Sequence, residues 1–94
     1  MITVTERARQ ELASLLVAYR AEDWEALRLL PTPHGKFLLT LDNELSGDQV
    51  VQYEGLRVLF VGIEYYYALN AAILDCQETE DGVILFLVRE QGDL

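Results

Sequence analysis

The sequence predicts an α+β fold, rich in β-strands, in which one N-terminal helix packs on mostly antiparallel strands. Three observations support this prediction. Apolar residues follow a helical period only near the N-terminus. From residue 26 onward, short apolar runs replace that period, and many of them alternate. Two turns of the hairpin type, EG at 54–55 and TEDG at 79–82, each separate a pair of such runs.

The N-terminal segment predicts a short strand at residues 2–4 and a helix from about residue 5 to residue 21. Thr5 is a favourable N-cap residue, and Glu6 in the first turn suits the helix dipole. The apolar residues that share one side of this helix are Ala8, Leu12, Leu15, Leu16 and Tyr19. That side is expected to pack on the strands.

The remaining strands are predicted from apolar runs bounded by turns. They are residues 26–30, 36–42, 49–53, 56–61, 71–78 and 83–90. The segment IEYYYAL, residues 63–69, is too short for a long helix and predicts one or two helical turns. Because no linker, repeat or low-complexity segment interrupts the pattern, we expect residues 1–94 to form a single domain.

The last predicted strand is apolar on both faces. Val83, Leu85 and Leu87 alternate with Ile84, Phe86 and Val88. A strand of this kind is expected to be covered on both sides. Two explanations remain open: the strand is central in its sheet, or one of its faces meets another subunit.

Composition excludes several classes of function. The chain has a net charge of −9 and a pI near 4.3. This charge argues against binding to nucleic acid or to an anionic membrane surface, and it favours a soluble protein or one that meets a basic partner. The longest apolar run, VILFLV, is far shorter than the roughly 20 residues that span a bilayer. The opening MITVTERARQ does not resemble a signal peptide. We therefore expect a cytoplasmic protein.

Three segments together resemble the HesB/IscA-like family, the A-type carriers of iron–sulfur cluster biosynthesis. ITVTERARQELASLL, from residue 2, is similar to the family's entry into its first helix. LRLLPTPHGKFLLTLD, from residue 27, resembles the strand, loop and strand that carry the family's first cysteine. YEGLRVLFVGIEYYYALNAAILDCQETEDGVILF, from residue 53, is similar to the longest family signature. The resemblance implies a HesB-like fold over nearly the whole chain.

The resemblance also implies cysteine ligands that this sequence does not contain. Family members bind iron or a cluster through one cysteine in a G-C-S-G loop and two in a C-G-C tail. Here PTPHGK occupies the loop, and the sequence ends in REQGDL. The one cysteine, Cys76, falls within a predicted strand, where we expect a buried, unreactive thiol. The chain is thus predicted to be a degenerate member without a bound cofactor, since clusters need mainly Cys thiolates.

His34 is the one candidate metal ligand in the loop. It lies where the family has a cysteine, and imidazole binds iron or zinc. The favoured interpretation is nevertheless a surface histidine in a loop shaped by prolines and Gly35, with no metal site. Lys36 is interpreted in two ways as well: as an anion contact, or, preferably, as a charge that protects the edge of an exposed strand.

The tyrosines Tyr65, Tyr66 and Tyr67 are candidates for binding a protein partner. Three consecutive aromatic residues in a helical turn cannot all face one core, and exposed aromatic residues anchor many interfaces. The alternative is that two pack inside and the third covers the surface. The acids of the predicted turn after residue 42, Asp42, Glu44 and Asp48, are expected to be solvated rather than to bind calcium, because they lack the spacing of a calcium loop.

No nucleophile with a partnered base and no glycine-rich phosphate loop is present in the sequence, so no enzymatic activity is predicted. The preferred hypothesis is a non-enzymatic protein-interaction module with the HesB-like fold, acting as a homodimer with an unidentified protein partner. The alternative is a metal-binding accessory protein that uses His34 and carboxylates for iron or zinc.

Overall fold

The computed structural model describes residues 1–89. Seven strands, one α-helix and two 3-10 turns follow one another along these residues. Their bounds are β1 Thr3–Val4, α1 Glu6–Ala18, β2 Glu25–Pro31, a 3-10 turn Pro33–Gly35, β3 Phe37–Asn43, β4 Gln49–Tyr53, β5 Leu56–Val61, a 3-10 turn Ile63–Tyr65, β6 Ala72–Thr79 and β7 Gly82–Arg89. The α+β prediction is confirmed. None of the described residues form a helix with the length and apolar character needed to cross a bilayer.

The N-terminal helix begins as predicted and ends earlier. The Thr5 side chain accepts a hydrogen bond from the backbone N–H of Ala8 and so caps the first turn. At the other end, Arg20 adopts a left-handed backbone with φ 56°, and the next N–H donates to the carbonyl of Leu16. This hydrogen bond closes a Schellman motif, which ends the helix at Ala18 rather than at residue 21.

Four strands form one sheet in the order β3-β2-β5-β4. Strands β2 and β5 run parallel, whereas β3 and β4 are antiparallel to their neighbours. The predicted hairpin between β4 and β5 is confirmed: Glu54 and Gly55 both have positive φ, 51° and 81°. Positive φ at both central residues is the requirement of a type I′ turn, whose twist matches that of the two strands.

The remaining three strands form a second sheet in the order β1-β6-β7. Strand β1 is parallel to β6, and β7 is antiparallel to it. Strand β7 therefore lies at the edge of the sheet, with no further strand among residues 1–89 on its outer side. The explanation that the last strand is central is wrong.

The hydrophobic core lies between the helix and the inner faces of the two sheets. Leu12 of α1, Leu27 of β2, Leu59 of β5 and Leu74 of β6 are fully buried there. Leu85 and Leu87 of β7 pack against this core from the edge. The helix and the two inner sheet faces thus cover one another, whereas the helix does not cover the outer face of either sheet.

The outer face of the four-stranded sheet buries a charge. Arg28 of β2 has a side chain that is 8% exposed, and it lies over the ring of Phe60, 5.5 Å from the ring centre. Its Nε donates to Asp42 at 2.6 Å, while Nη1 and Nη2 donate to the two carboxylate oxygens of Asp48 at 2.9 and 2.7 Å. Nη2 also donates to the carbonyl of Asn43 at 3.0 Å. Every nitrogen of the guanidinium has a partner, which is what burial of a charge requires.

These contacts correct the expectation that the acids of this turn are solvated. The Asp48 carboxylate is 2% exposed, and it also accepts a hydrogen bond from the backbone N–H of Leu45. Asp42 is partly buried by the same guanidinium. Of these three acids, Glu44 is the one exposed to solvent as expected, and it pairs there with Arg57. The pair between Arg28 and Asp48 therefore fastens the β3–β4 turn onto the outer face of the sheet.

We expect Asp48→Asn to lower the free energy of unfolding by about 3 kcal/mol, near the lower end of the cost of breaking a buried ion pair. The loss arises because Arg28 stays buried with one carboxylate removed, while Asp42 still pairs with it. The midpoint of urea unfolding measures the change. Glu44→Gln is the matched control, because its exposed pair contributes at most about 1 kcal/mol. Equal losses in both variants would contradict the role of the buried pair.

Stability should also fall in acid. Hydrogen bonds from Arg28 hold the pKa of Asp42 and that of Asp48 below the usual value, and hydrogen bonds from Arg7 and Thr5 do the same for the pKa of Asp75. Since these folded-state pKa values are lowered, the unfolded chain binds more protons in acid. The stabilisation is complete above about pH 5 and is lost as the pH falls through 4 toward the folded-state values.

The measurement is urea unfolding at a series of pH values between 7 and 3. Asp48→Asn removes one of the lowered carboxyl groups, so its free energy of unfolding should decrease less between pH 5 and pH 3 than that of the wild type. A variant curve parallel to the wild-type curve would contradict the assignment of Asp48.

Candidate functional site

The loop that contains His34 is a tight turn between β2 and β3. The backbone N–H of Thr32 donates to the carbonyl of Lys36 at 2.8 Å, which closes the loop at its base. His34 and Gly35 both have left-handed backbones, with φ 67° and 74°. Glycine adopts this conformation at no steric cost, whereas histidine does so uncommonly. The His34 side chain is exposed at the tip of the loop.

The one thiol of the chain lies elsewhere. Cys76 is in the middle of β6, 6% exposed, and it belongs to the hydrophobic core. Burial is the main cause that raises the pKa of its thiol. A raised pKa disfavours the thiolate, which is the form that ligates metals and attacks electrophiles. The position agrees with the prediction of a buried small side chain.

The described residues do not fit an iron–sulfur cluster. A cluster is held by several Cys thiolates, with histidine as an occasional substitute, and the whole sequence contains one cysteine and one histidine. Cys76 is buried in one sheet, and His34 is exposed on a loop of the other. Among residues 1–89, no three His, Cys, Asp or Glu side chains come close enough to hold a metal ion. No chemical step can therefore be derived through a cluster bound by this chain alone.

The three tyrosines have three different environments. Tyr65 is half-buried and packs against the core. The Tyr66 hydroxyl donates a hydrogen bond to the carbonyl of Gly47 at 2.7 Å, which ties it to the β3–β4 turn. Tyr67 is 98% exposed. The residues that were predicted together thus divide into two that hold the segment in place and one that presents an aromatic ring to solvent.

Sequence reasoning missed Arg28, which positions this segment indirectly. Arg28 holds Asp48, and Asp48 ends the turn whose Gly47 carbonyl accepts the Tyr66 hydrogen bond. A signal for it was present: an arginine within the apolar strand EALRLLP must be buried or snorkel, and a buried arginine needs an acid. The sequence does not say which acid, because the partners lie 14 and 20 residues away.

The outer face of β7 is apolar and partly exposed, whereas its neighbours on β6 include polar residues, with Gln77 opposite Ile84 and Asp75 opposite Phe86. On β7, Ile84 is 53% exposed and Val88 is 43% exposed, with the half-buried Phe86 between them. Ile73 lies opposite Val88 on β6 and continues the face. Contact with another subunit, the second explanation for the last strand, stays a prediction.

Solved structures with the same fold are known. The crystal structure of Escherichia coli SufA, described as involved in biosynthesis of iron–sulfur clusters, superposes with a TM-score of 0.74 at 16% identity, over 97% of this chain and 87% of that one. The crystal structure of IscA with the [2Fe-2S] cluster gives a TM-score of 0.65 at 19% identity, over 95% and 85% of the two chains.

A third structure, the solution NMR structure of a protein from Aquifex aeolicus, gives a TM-score of 0.57 at 20% identity, over 92% of this chain and 88% of that one. The sequence matches no known family model and no curated protein. Likeness at this level of identity concerns the fold. The predicted HesB-like fold is confirmed: this chain folds as SufA and IscA do.

Proposed function

We propose that this protein is a non-enzymatic, cytoplasmic interaction module that serves iron–sulfur assembly through protein contacts and does not carry a cluster itself. One observation carries the proposal. The chain combines the fold of SufA and IscA with a single, buried cysteine and a distant histidine. A fold retained without the thiolates that a cluster requires favours a role in which surfaces, rather than ligands, matter.

The apolar outer face of β7 supports a homodimer. Ile84, Phe86 and Val88 lie in a row on one face of an edge strand. A two-fold axis beside this face would bring the same side chains of two chains together, as isologous interfaces do. Burial of such side chains stabilises association by roughly 25 cal/mol per Å² of apolar surface, before the cost of association is subtracted.

Tyr67 supports contact with a second kind of protein. Tyr67 is 98% exposed, and the two residues before it are anchored, Tyr65 against the core and Tyr66 through its hydrogen bond to the carbonyl of Gly47. A tyrosine held this way loses little conformational entropy on binding, which is why such residues often act as anchors. Glu64 lies next to this segment, and the chain has a net charge of −9, so a partner with basic residues is favoured.

The proposed function predicts that the purified protein contains little metal. Protein purified without oxygen should contain less than about one tenth of an equivalent of iron or zinc, because a single imidazole cannot complete a structural site. Mass spectrometry of the wild type and of His34→Ala measures it. Near-stoichiometric metal that disappears in His34→Ala would establish the alternative, a metal-binding accessory protein, and would overturn the proposal.

The second prediction concerns association. Ile84→Lys should convert dimers into monomers in sedimentation velocity, because it introduces an ammonium group into the apolar row that Ile84, Phe86 and Val88 form on β7. Val17→Lys is the matched control, since Val17 is 78% exposed on the helix.

Tyr67→Ala should leave the dimer intact and abolish recovery of a protein partner from lysate. A wild type that is monomeric and recovers no partner would contradict the proposed function.

A further inference from the structure

Two open sheet edges face each other across an apolar groove. Strand β3 is at the edge of the four-stranded sheet and β7 at the edge of the three-stranded sheet, among the strands that residues 1–89 form. A groove of about 510 Å³ lies between them. Its walls are residues 37–39 of β3 and 85–87 of β7, and Tyr19 closes one side. Leu38 is 61% exposed in this wall.

A smaller cleft continues this groove. It measures about 240 Å³ and shares Gly35, Lys36 and Leu87 with the groove. Beyond them it is lined by the 68–72 segment and by Arg89, the last residue of β7 that the structure describes. The two cavities therefore form one surface, which passes from Arg89 through Lys36 to the apolar side chains of both edge strands. This combined surface is called the edge groove below.

The charge of the edge groove is opposite to that of the molecule. The sequence has 16 acidic and 7 basic residues, yet no Asp or Glu of residues 1–89 lines the edge groove, whereas Lys36 and Arg89 do. Three other basic side chains, Arg7, Arg28 and Arg57, form ion pairs with acids that lie outside the edge groove. On an acidic protein, a surface lined by cations and apolar side chains is complementary to an acidic and apolar ligand.

Both cations keep their charge available among the described residues. Arg89 donates to the carbonyls of Asn70 at 2.9 Å and Ala68 at 3.1 Å, which hold the guanidinium in place without neutralising it. Lys36 pairs with no carboxylate of residues 1–89. A carboxylate placed between them would form charge-assisted hydrogen bonds, which are about twice as strong as neutral ones.

The shape of the edge groove suits an extended chain. Edge strands present backbone N–H and C=O groups that have no partner strand, and a peptide can pair with them. The four residues 36–39 span about 13 Å at roughly 3.3 Å each, which matches about four residues of extended peptide. Alternate side chains of such a peptide would face the apolar walls, and a carboxylate at one end would meet Lys36 and Arg89.

We propose that the edge groove binds an extended, acidic and apolar segment of a partner protein. This inference rests on the proposed interaction function and specifies the chemistry of one partner. It concerns a surface distinct from Tyr67. The carboxylate of the segment is recognised by Lys36 and Arg89, and its apolar side chains are recognised by Leu38 and by residues 85–87.

The test is fluorescence anisotropy of the full chain with two labelled synthetic peptides of equal length. One alternates Glu with Val and Leu, and the other replaces every Glu by Lys. The net charge of −9 favours the basic peptide at any nonspecific place, so tighter binding of the acidic peptide can arise only from a local cationic site. The expected result is at least about tenfold tighter binding of the acidic peptide.

Two substitutions and two controls locate the binding. Lys36→Glu should lower the affinity for the acidic peptide at least about tenfold. Leu38→Ser should lower this affinity several-fold, because apolar contact is lost. Arg57→Glu makes the same change in net charge two strands away from β3, and Val17→Ser removes an apolar side chain from the helix that is even more exposed than Leu38, 78% against 61%. Both controls should stay within about twofold of the wild type.

Three kinds of outcome would overturn the proposal. The first is a failed specificity comparison, either a basic peptide that binds as tightly as the acidic one or an equal loss of binding in Lys36→Glu and Arg57→Glu. The second is a Lys36→Glu variant that turns a dimer into monomers in sedimentation velocity, which would make a second copy the occupant. The third is peptide binding that tightens tenfold in Glu90→Gln/Asp93→Asn, which would assign the groove to the chain's own last residues.

The two proposals fail in different ways. Failure of the proposed function would appear as a monomer that recovers no protein partner. Phe86 belongs both to the proposed dimer face and to the wall of the edge groove, so the peptide measurement is made on the wild type and on Ile84→Lys, whose substituted residue does not line the groove. A dimer that prefers no acidic peptide would retain the proposed function and remove only this inference.

Discussion

The buried pair between Arg28 and Asp48 is the interaction on which the outer half of this molecule depends. An arginine in the middle of an apolar strand has no hydration, so its guanidinium must be satisfied by the protein. The acids that satisfy it come from the end of β3 and from the following turn, and the guanidinium that they hold lies over the ring of Phe60. The turn in turn accepts the Tyr66 hydrogen bond. The buried guanidinium thus holds the β3–β4 turn directly, and through that turn it holds the segment that contains Tyr66.

The one thiol and the one imidazole of this chain do not share a site among the described residues. The one thiol is enclosed by the core, and the one imidazole lies on a loop of the opposite sheet. What remains accessible is a set of surfaces: an apolar sheet face, an exposed tyrosine and a groove with cations in it. Surfaces of this kind recognise proteins, and they do so without the donor atoms that metal binding needs.

Local patterns predicted the elements well because their causes are local. Strands β4 and β5 have the predicted bounds, since the EG turn between them specifies its own backbone. The helix end was misplaced because a left-handed Arg20 is not visible in an apolar period. The partners of Arg28 and the edge position of β7 depend on contacts between distant segments, and a single sequence carries no signal for those. The partner-binding role of the three tyrosines stays a prediction, and only packing distinguishes Tyr67 from its neighbours.

The exposed edge of β7 has a consequence for colloidal behaviour. A long apolar edge strand is a template for pairing with any other chain, and many proteins block such edges with charged side chains along the strand. Strand β7 has no charged residue before Arg89, so protection falls to the net charge of −9 carried by the rest of the molecule. That repulsion disappears near the pI of about 4.3, while the apolar edge persists. The molecule therefore stays dispersed through its overall charge, and occupation of this edge by a specific neighbour would remove the hazard at any pH.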